Sequence, residues 1–189
     1  LQQYERLIKA VVAHHELAGP VQALETVRAA RVDRTARKTL GSLVGEIVES
    51  FLVSGESDTE QDTTDDDPDN VATGSFRVRL SLSEEDFART EDELKDLVKL
   101  RNDLVHHFID QHDLWSVDGC RRAQEALISD YDRIDQCYGR LVEWAKDLDS
   151  AMVEAARAIQ SEMFRNMTIH GIMPDGTVDW PASSIVSAF

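Results

Sequence analysis

At 189 residues with 42% hydrophobic side chains, the chain is long enough for one compact core and short for two full domains. Thirty-six acidic residues face twenty basic ones, a net charge of −16 that argues against a generic nucleic-acid binder, because neutralising phosphates needs a basic surface. No stretch approaches the roughly 20 consecutive apolar residues of a membrane span, and the start is a charged amphipathic segment rather than a signal peptide, so a soluble, cytoplasmic protein with no membrane partner is expected.

Half of the negative excess is local. Glu56, Asp58, Glu60, Asp62, Asp65, Asp66, Asp67 and Asp69 have no lysine or arginine among them, so any site for a polyanion must be a local positive patch elsewhere. The opening on Leu1 rather than Met, and the closing apolar run Ile185 to Phe189, read as processing or segment boundaries.

In chain order, Leu7, Ile8, Val11, Val12 and Leu17 form a helical stripe over residues 2 to 17, stopped by Gly19 and Pro20. A second helical pattern runs from Val21 to about Val53, with a break expected near Val32 and Asp33 or near Gly41. Its apolar face is Leu40, Leu43, Val44, Ile47, Val48, Phe51 and Leu52. Residues 54 to 74 carry almost no large apolar side chains and are expected to form a disordered acidic loop, either a solvated insertion or a mimic that covers a basic site.

Phe76 to Leu82 alternates apolar and polar, yet a lone strand has nothing to pair with, so a loop or short edge is expected there. Ser83 followed by Glu84, Glu85 and Asp86 is a helix start, with a capping hydroxyl and acids at the positive end of the dipole. That helix should reach about Gln111. Ser116 starts another long helix, to about Phe164, interrupted near Gly139 or Asp149. If Cys120 and Cys137 both lie on it, they sit roughly 25 Å apart, too far for a disulfide, and read as reduced packing residues.

The expected fold class is therefore all-α, an up-and-down bundle of four to five helices over residues 1 to 167. Residues 168 to 189, with Gly171, Pro174, Gly176 and Pro181, form a linker or tail.

Chemistry concentrates on the helix after Ser83. Its apolar stripe, Leu94, Leu97, Val98, Leu104, Val105 and Phe108, passes through position 101, which is arginine. A charge on a core-facing stripe needs a partner or a shared cavity. Asn102 and His106 stack four apart, whereas Arg101 and His106 stand about 140° apart around a regular helix and can border one cleft. Arginine suits phosphate because its guanidinium binds two oxygens as a fork, and histidine suits proton transfer near neutrality.

The segment from Arg101 through Asn102, Asp103, Leu104 and Val105 to His106 resembles the Arg-x4-His motif of the HEPN superfamily, in which a polar residue often follows the arginine. The resemblance covers roughly residues 1 to 165. It implies a homodimeric endoribonuclease in which two motifs meet across the interface. There the RNA 2′-hydroxyl attacks the adjacent phosphorus without a metal, leaving a 2′,3′-cyclic phosphate and a 5′-hydroxyl. Arg101 would steady the phosphorane, His106 would move the proton, and Asn102 would orient imidazole or substrate. His107 is the reserve if the register shifts by one.

Roles as a toxin, a phage-defence factor or an RNA-processing factor follow, with an antitoxin or regulatory protein as a further partner. HEPN toxins neutralised by adenylylation carry a Tyr two places after the motif His, where this chain has Phe108, so that mode of neutralisation is not expected.

Arg31, Arg34 and Lys38, with Arg28 and Arg37 nearby, are spaced to form one basic edge that guides RNA or, alternatively, a solvated face paired with local acids. His14, His15, Glu16, His106, His107 and His112 invite a metal reading, yet no cysteine pairs and no His-Glu-x-x-His accompany them, so neither metal nor cofactor is expected. Trp180 to Phe189 resembles the lead-in to an OST-HTH/LOTUS domain. The competing functional class is a catalytically silent helical module for dimerisation or for binding RNA or protein. In that reading Arg101 pairs with an acid from another helix and His106 is an ordinary histidine.

Overall fold

The computed structural model describes residues 1–55, 73–164 and 166. Six α-helices dominate that part, so the chain is mostly helical. Contacts group the chain into two compact units, Leu1–Lys146 and Asp147–Phe189.

In the first unit, helix α1 (Gln2–His14) buries Tyr4, Ile8, Val11 and Val12, the spacing of one helical face. It ends earlier than periodicity predicts. Leu17 lies on a strand, β1 (Glu16–Pro20), which pairs antiparallel with β3 (Thr73–Arg77), Glu16 opposite Arg77 and Leu17 opposite Phe76. A second short strand, β2 (Leu52–Ser54), runs parallel to β4 (Leu80–Leu82). The alternating segment Phe76 to Leu82 is thus paired on both halves. Its partners lie far away in the chain, where local pattern cannot find them.

These strands flank residues 56–72. The expected acidic loop falls largely outside the described residues, but its edges are ordered: Ser54 belongs to β2, and Thr73 and Gly74 to β3. Gly55 leaves β2 with φ +75°, a left-handed conformation that glycine alone adopts freely, while its amide donates to Leu82 O at 2.8 Å.

A 3₁₀ turn (Val21–Ala23) leads into α2 (Leu24–Ala36), and α3 (Leu40–Glu46) follows. The break in the predicted second helix is at residues 37 to 39, close to Gly41 rather than at Val32 and Asp33. Thr39 is extended there, and its hydroxyl accepts from Ser42 N at 3.3 Å, capping α3. A π-turn (Ile47–Phe51) continues α3 into β2. Leu40, Leu43, Val44, Ile47, Phe51 and Leu52 are buried, as their spacing predicts.

Helix α4 (Glu84–Asn102) starts as read, with Ser83 Oγ accepting from Asp86 N at 3.1 Å. It passes through a second π-turn (Asp103–His107) into the short α5 (Phe108–Gln111). Helix α6 (Val117–Gln160) is a single run of 44 residues, uninterrupted at Gly139 or Asp149. Its corner is built by Asp113, whose carboxylate accepts from Trp115 N at 3.1 Å and from Ser116 Oγ at 2.6 Å. Ser116 Oγ in turn accepts from Gly119 N at 3.0 Å.

Packing joins α1 to α2 and α3, and α3 to α4. α6 meets α4 through the Arg140–Glu93 ion pair, and its Trp144 lies 6.1 Å from the Phe51 ring. Tyr4, Ile8, Leu43, Ile47, Phe51 and Leu141 are among the fully enclosed side chains.

In the second unit the described chain is the remainder of α6 and the residues after it. Ser161 Oγ donates to Ala158 O at 2.7 Å and accepts from Phe164 N at 3.1 Å. The tail over 168 to 189, with its OST-HTH/LOTUS resemblance, lies outside the described residues. None of the described helices is long and apolar enough to cross a membrane.

Candidate active site

The π-turn decides the geometry of the Arg-x4-His segment. In a regular α-helix, residues five apart diverge by about 140°. A π-turn closes its hydrogen bonds i to i+5, which narrows the divergence of residues five apart. The turn over Asp103–His107 therefore brings Arg101 and His106 together, and Arg101 Nη1 stands 3.4 Å from His106 Nε2.

The same Nη1 donates to Asn102 Oδ1 at 3.3 Å. A guanidinium can only donate, so the nitrogen of His106 that faces it is the one bearing a lone pair. The three motif residues thus form one cluster on the exposed side of α4, with Arg101 half-buried and Asn102 and His106 exposed. The His107 ring is 6.3 Å from that of His106, on the exposed outer side. Phe108 turns away and packs against His112, with ring centroids 4.5 Å apart.

Arg101 also has an acidic partner from another helix. Its Nε donates to Glu5 Oε1 of α1 at 3.4 Å, both side chains being about one-third exposed. Glu5 is the single acid of α1. A cavity of about 500 Å³ opens beside the pair, lined by Glu5, Lys38, Gly41, Val98, Arg101 and Asn102. Arg101 thus has both an acidic partner and a cavity beside it, where either would satisfy a charge on the stripe.

The basic edge is not a free cationic row. Arg31 folds inward, donating from Nε and Nη2 to Val12 O at 3.3 and 3.2 Å, with Glu16 Oε2 at 3.8 Å. Lys38 is paired with Glu46, although it reaches the cavity wall, and Arg28 with Glu25. Arg34 is exposed. α2 lies against α1, so its inward-facing arginine is used to cap the end of that helix.

That capping belongs to a cluster the sequence reading does not separate from the other histidines. His15 is fully buried, with Nδ1 3.0 Å from Val12 O and Nε2 3.0 Å from Ser50 Oγ. Burial, reinforced by the charge of Arg31, holds its imidazole below the ordinary histidine range. For Glu16, burial acts to raise the carboxyl, but the hydrogen bond from Arg77 at 2.7 Å and the charges of Arg77 and Arg31 outweigh it and hold it low. The adjacent histidine and acid are therefore committed to the fold. No group of three or more His, Cys, Asp or Glu side chains among the described residues is arranged to hold a metal ion.

The apolar stripe of α4 loses its cover at the π-turn. Leu94, Leu97 and Leu100 are buried, whereas Val105, expected on the core face, is 56% exposed. Beyond it Ile109 is 75% and Trp115 99% exposed. Val105 is in the same π-turn as His106, and Ile109 follows it on α5.

Comparison with known proteins finds no matching family model, no matching curated protein and no matching solved structure.

Proposed function

We propose that the chain is an endoribonuclease of HEPN type, cutting RNA by attack of the 2′-hydroxyl on the adjacent phosphorus, and that it acts as a homodimer. The observation that carries this is the contact of Arg101 Nη1 with His106 Nε2 at 3.4 Å, beside the Asn102 amide and an open cavity.

The chemistry follows from those atoms. In the substrate complex the His106 Nε2 lone pair, which in the free protein accepts from Arg101, takes the 2′-hydroxyl proton as the oxygen bonds to phosphorus, and the Arg101 guanidinium holds the charge that gathers on the phosphorane oxygens. The bond to the 5′-oxygen breaks, and that oxygen takes a proton, leaving a cyclic phosphate and a 5′-hydroxyl. The exposed Val105, Ile109 and Trp115 supply the apolar surface on which a second copy closes, bringing a second histidine to protonate the leaving oxygen. The up-and-down HEPN bundle, a cytoplasmic place in defence or RNA processing, and a toxin's regulatory partner belong to the same proposal.

The test is incubation with mixed RNA in EDTA. Wild type should yield cyclic-phosphate ends, and Arg101→Ala and His106→Ala should each lose at least about 100-fold in rate. Equal cutting by the variants, or no cutting by wild type, overturns the assignment.

A second reading draws on the Glu5–Arg101 pair, which on its own is what a silent binding module would show. In that reading the apolar face still binds a partner, the protein dimerises or binds RNA, and no RNA is cut.

A further inference from the structure

Glu5 is tied to the candidate site by one hydrogen bond, and the geometry of that bond says what it does. A guanidinium presents a side edge, Nε with Nη2, and an end, Nη1 with Nη2. Glu5 Oε1 takes the Nε proton at 3.4 Å. Nη1 then turns to Asn102 Oδ1 and His106 Nε2 at 3.3 and 3.4 Å, and Nη2 has no acceptor among the described residues. Only Nη2 is left open toward an incoming oxygen.

We infer that Glu5 is a positioning residue of the ribonuclease reaction, clamping the Arg101 guanidinium by its Nε so that Nη1 faces His106 and Nη2 faces the phosphate. This rests on the ribonuclease reading of the site. Two features of the fold support the clamp. α1 is anchored on both sides of Glu5 by the buried Tyr4 and Ile8, so the carboxylate is held by a fixed backbone. Arg101 sits where α4 gives way to the π-turn, so its side chain needs a restraint from another element to keep one orientation.

The clamp has a cost that makes it detectable. A carboxylate on the same guanidinium offsets part of the charge that attracts phosphate, so Glu5 favours orientation over affinity. A purely structural acid would not separate the two.

The test uses the full chain, with Glu5→Ala, Glu5→Gln and Arg101→Ala compared with wild type for kcat and KM on RNA. The Nε–Hε signal of Arg101 is followed by ¹H–¹⁵N NMR. Glu5→Ala should lower kcat by about tenfold or more, as expected when a catalytic group drifts by less than 1 Å, and its Arg101 signal should merge with those of freely exchanging arginines. Glu5→Gln keeps an acceptor oxygen and nearly the same shape. It should recover most of the lost kcat and lower KM by about threefold, since only the charge is gone.

An unchanged kcat and an unchanged Arg101 signal in Glu5→Ala would overturn the clamp while leaving the nuclease standing. Full activity in Arg101→Ala would overturn the nuclease reading and the role of Glu5 with it, even if the NMR signal still reported the ion pair. If Glu5→Ala unfolds, the kcat against KM split in Glu5→Gln decides.

Discussion

His15 and Ser50, thirty-five residues apart, meet in the core with His15 Nε2 3.0 Å from Ser50 Oγ, joining the end of α1 to the π-turn after α3. The imidazole is enclosed, edge-on to Phe51 at 5.8 Å, with Nδ1 bonded to the Val12 carbonyl. Val12 O also receives Arg31, so a cation stands beside a ring that would itself become a cation on protonation.

A pH dependence follows. Burial first, and the Arg31 charge second, lower the folded-state pKa of His15 below its ordinary 6.5, against the pull of Val12 and Glu16. Between the lowered value and 6.5 the unfolded chain binds more protons than the folded one, so stability falls as pH falls through that window. The contribution is fully present above 6.5. Thermal melts between about pH 5 and 8 should show Tm dropping on the acid side. In His15→Gln, which keeps polar contacts without titrating, that slope should shrink while stability at neutral pH drops by about 1–2 kcal/mol. An identical slope in the variant would place the titration elsewhere.

Thr35 offers a stabilising substitution. Its side chain is buried on α2, and Oγ1 has no hydrogen-bond partner among the described residues. A buried hydroxyl without a partner costs about 1–3 kcal/mol. Thr35→Val keeps the shape and removes the group, so it should raise stability by about 1 kcal/mol in urea unfolding. A loss of stability would mean that the hydroxyl is bonded in solution.

How far the sequence could be read depended on the range of each signal. Ser83, with its three following acids, marked the start of α4, and Leu94 and Leu97 followed from 3.6-residue spacing, because caps and stripes are local, but the buried Leu100 was missed and the exposed Val105 was placed on the core face. The strand pairs were not legible. β1 finds β3 across the whole of α2 and α3, and period-two alternation in Phe76 to Leu82 says nothing about a partner. The motif residues were legible as a pattern, but their meeting was not. Regular helical geometry would set Arg101 and His106 at the edges of one cleft, whereas with the π-turn between them they stand 3.4 Å apart. Glu5 left only the faint trace of being the lone acid on an otherwise basic and apolar helix. Arg31 was misread as an outward cation because charge spacing on a helix does not say which face a neighbour covers.

The two cysteines should differ in reactivity. Cys120 is exposed on the first turn of α6, whereas Cys137 is half-buried, and burial pushes its thiol above the ordinary range, partly countered by Arg140. Only the thiolate attacks disulfide reagents. Titration with Ellman's reagent at neutral pH should give one fast and one slow thiol, and Cys120→Ser should remove the fast phase. Loss of the slow phase instead would invert the assignment.

The corner before α6 should tolerate little change at Gly119, which is buried against it. A Cβ on Gly119 would run into the backbone carbonyl oxygen of Asp113 and stand 2.9 Å from Ser116 Oγ, one of the groups that build the corner. Backbone oxygen cannot move aside as a side chain would, so Gly119→Ala must open the turn and break the bonds from Trp115 N and Gly119 N. The expected cost is about 1–3 kcal/mol, with Trp115 no longer held in its fully exposed position. If Trp115 anchors a second copy, Gly119→Ala should also weaken the dimer, seen as a shift toward monomer in sedimentation at fixed concentration. Trp115→Ala, which leaves the corner intact, should produce the same shift without the loss of Tm. Dimers of unchanged strength in both variants would move the interface away from this corner and leave Val105 and Ile109 as the apolar contacts to test next.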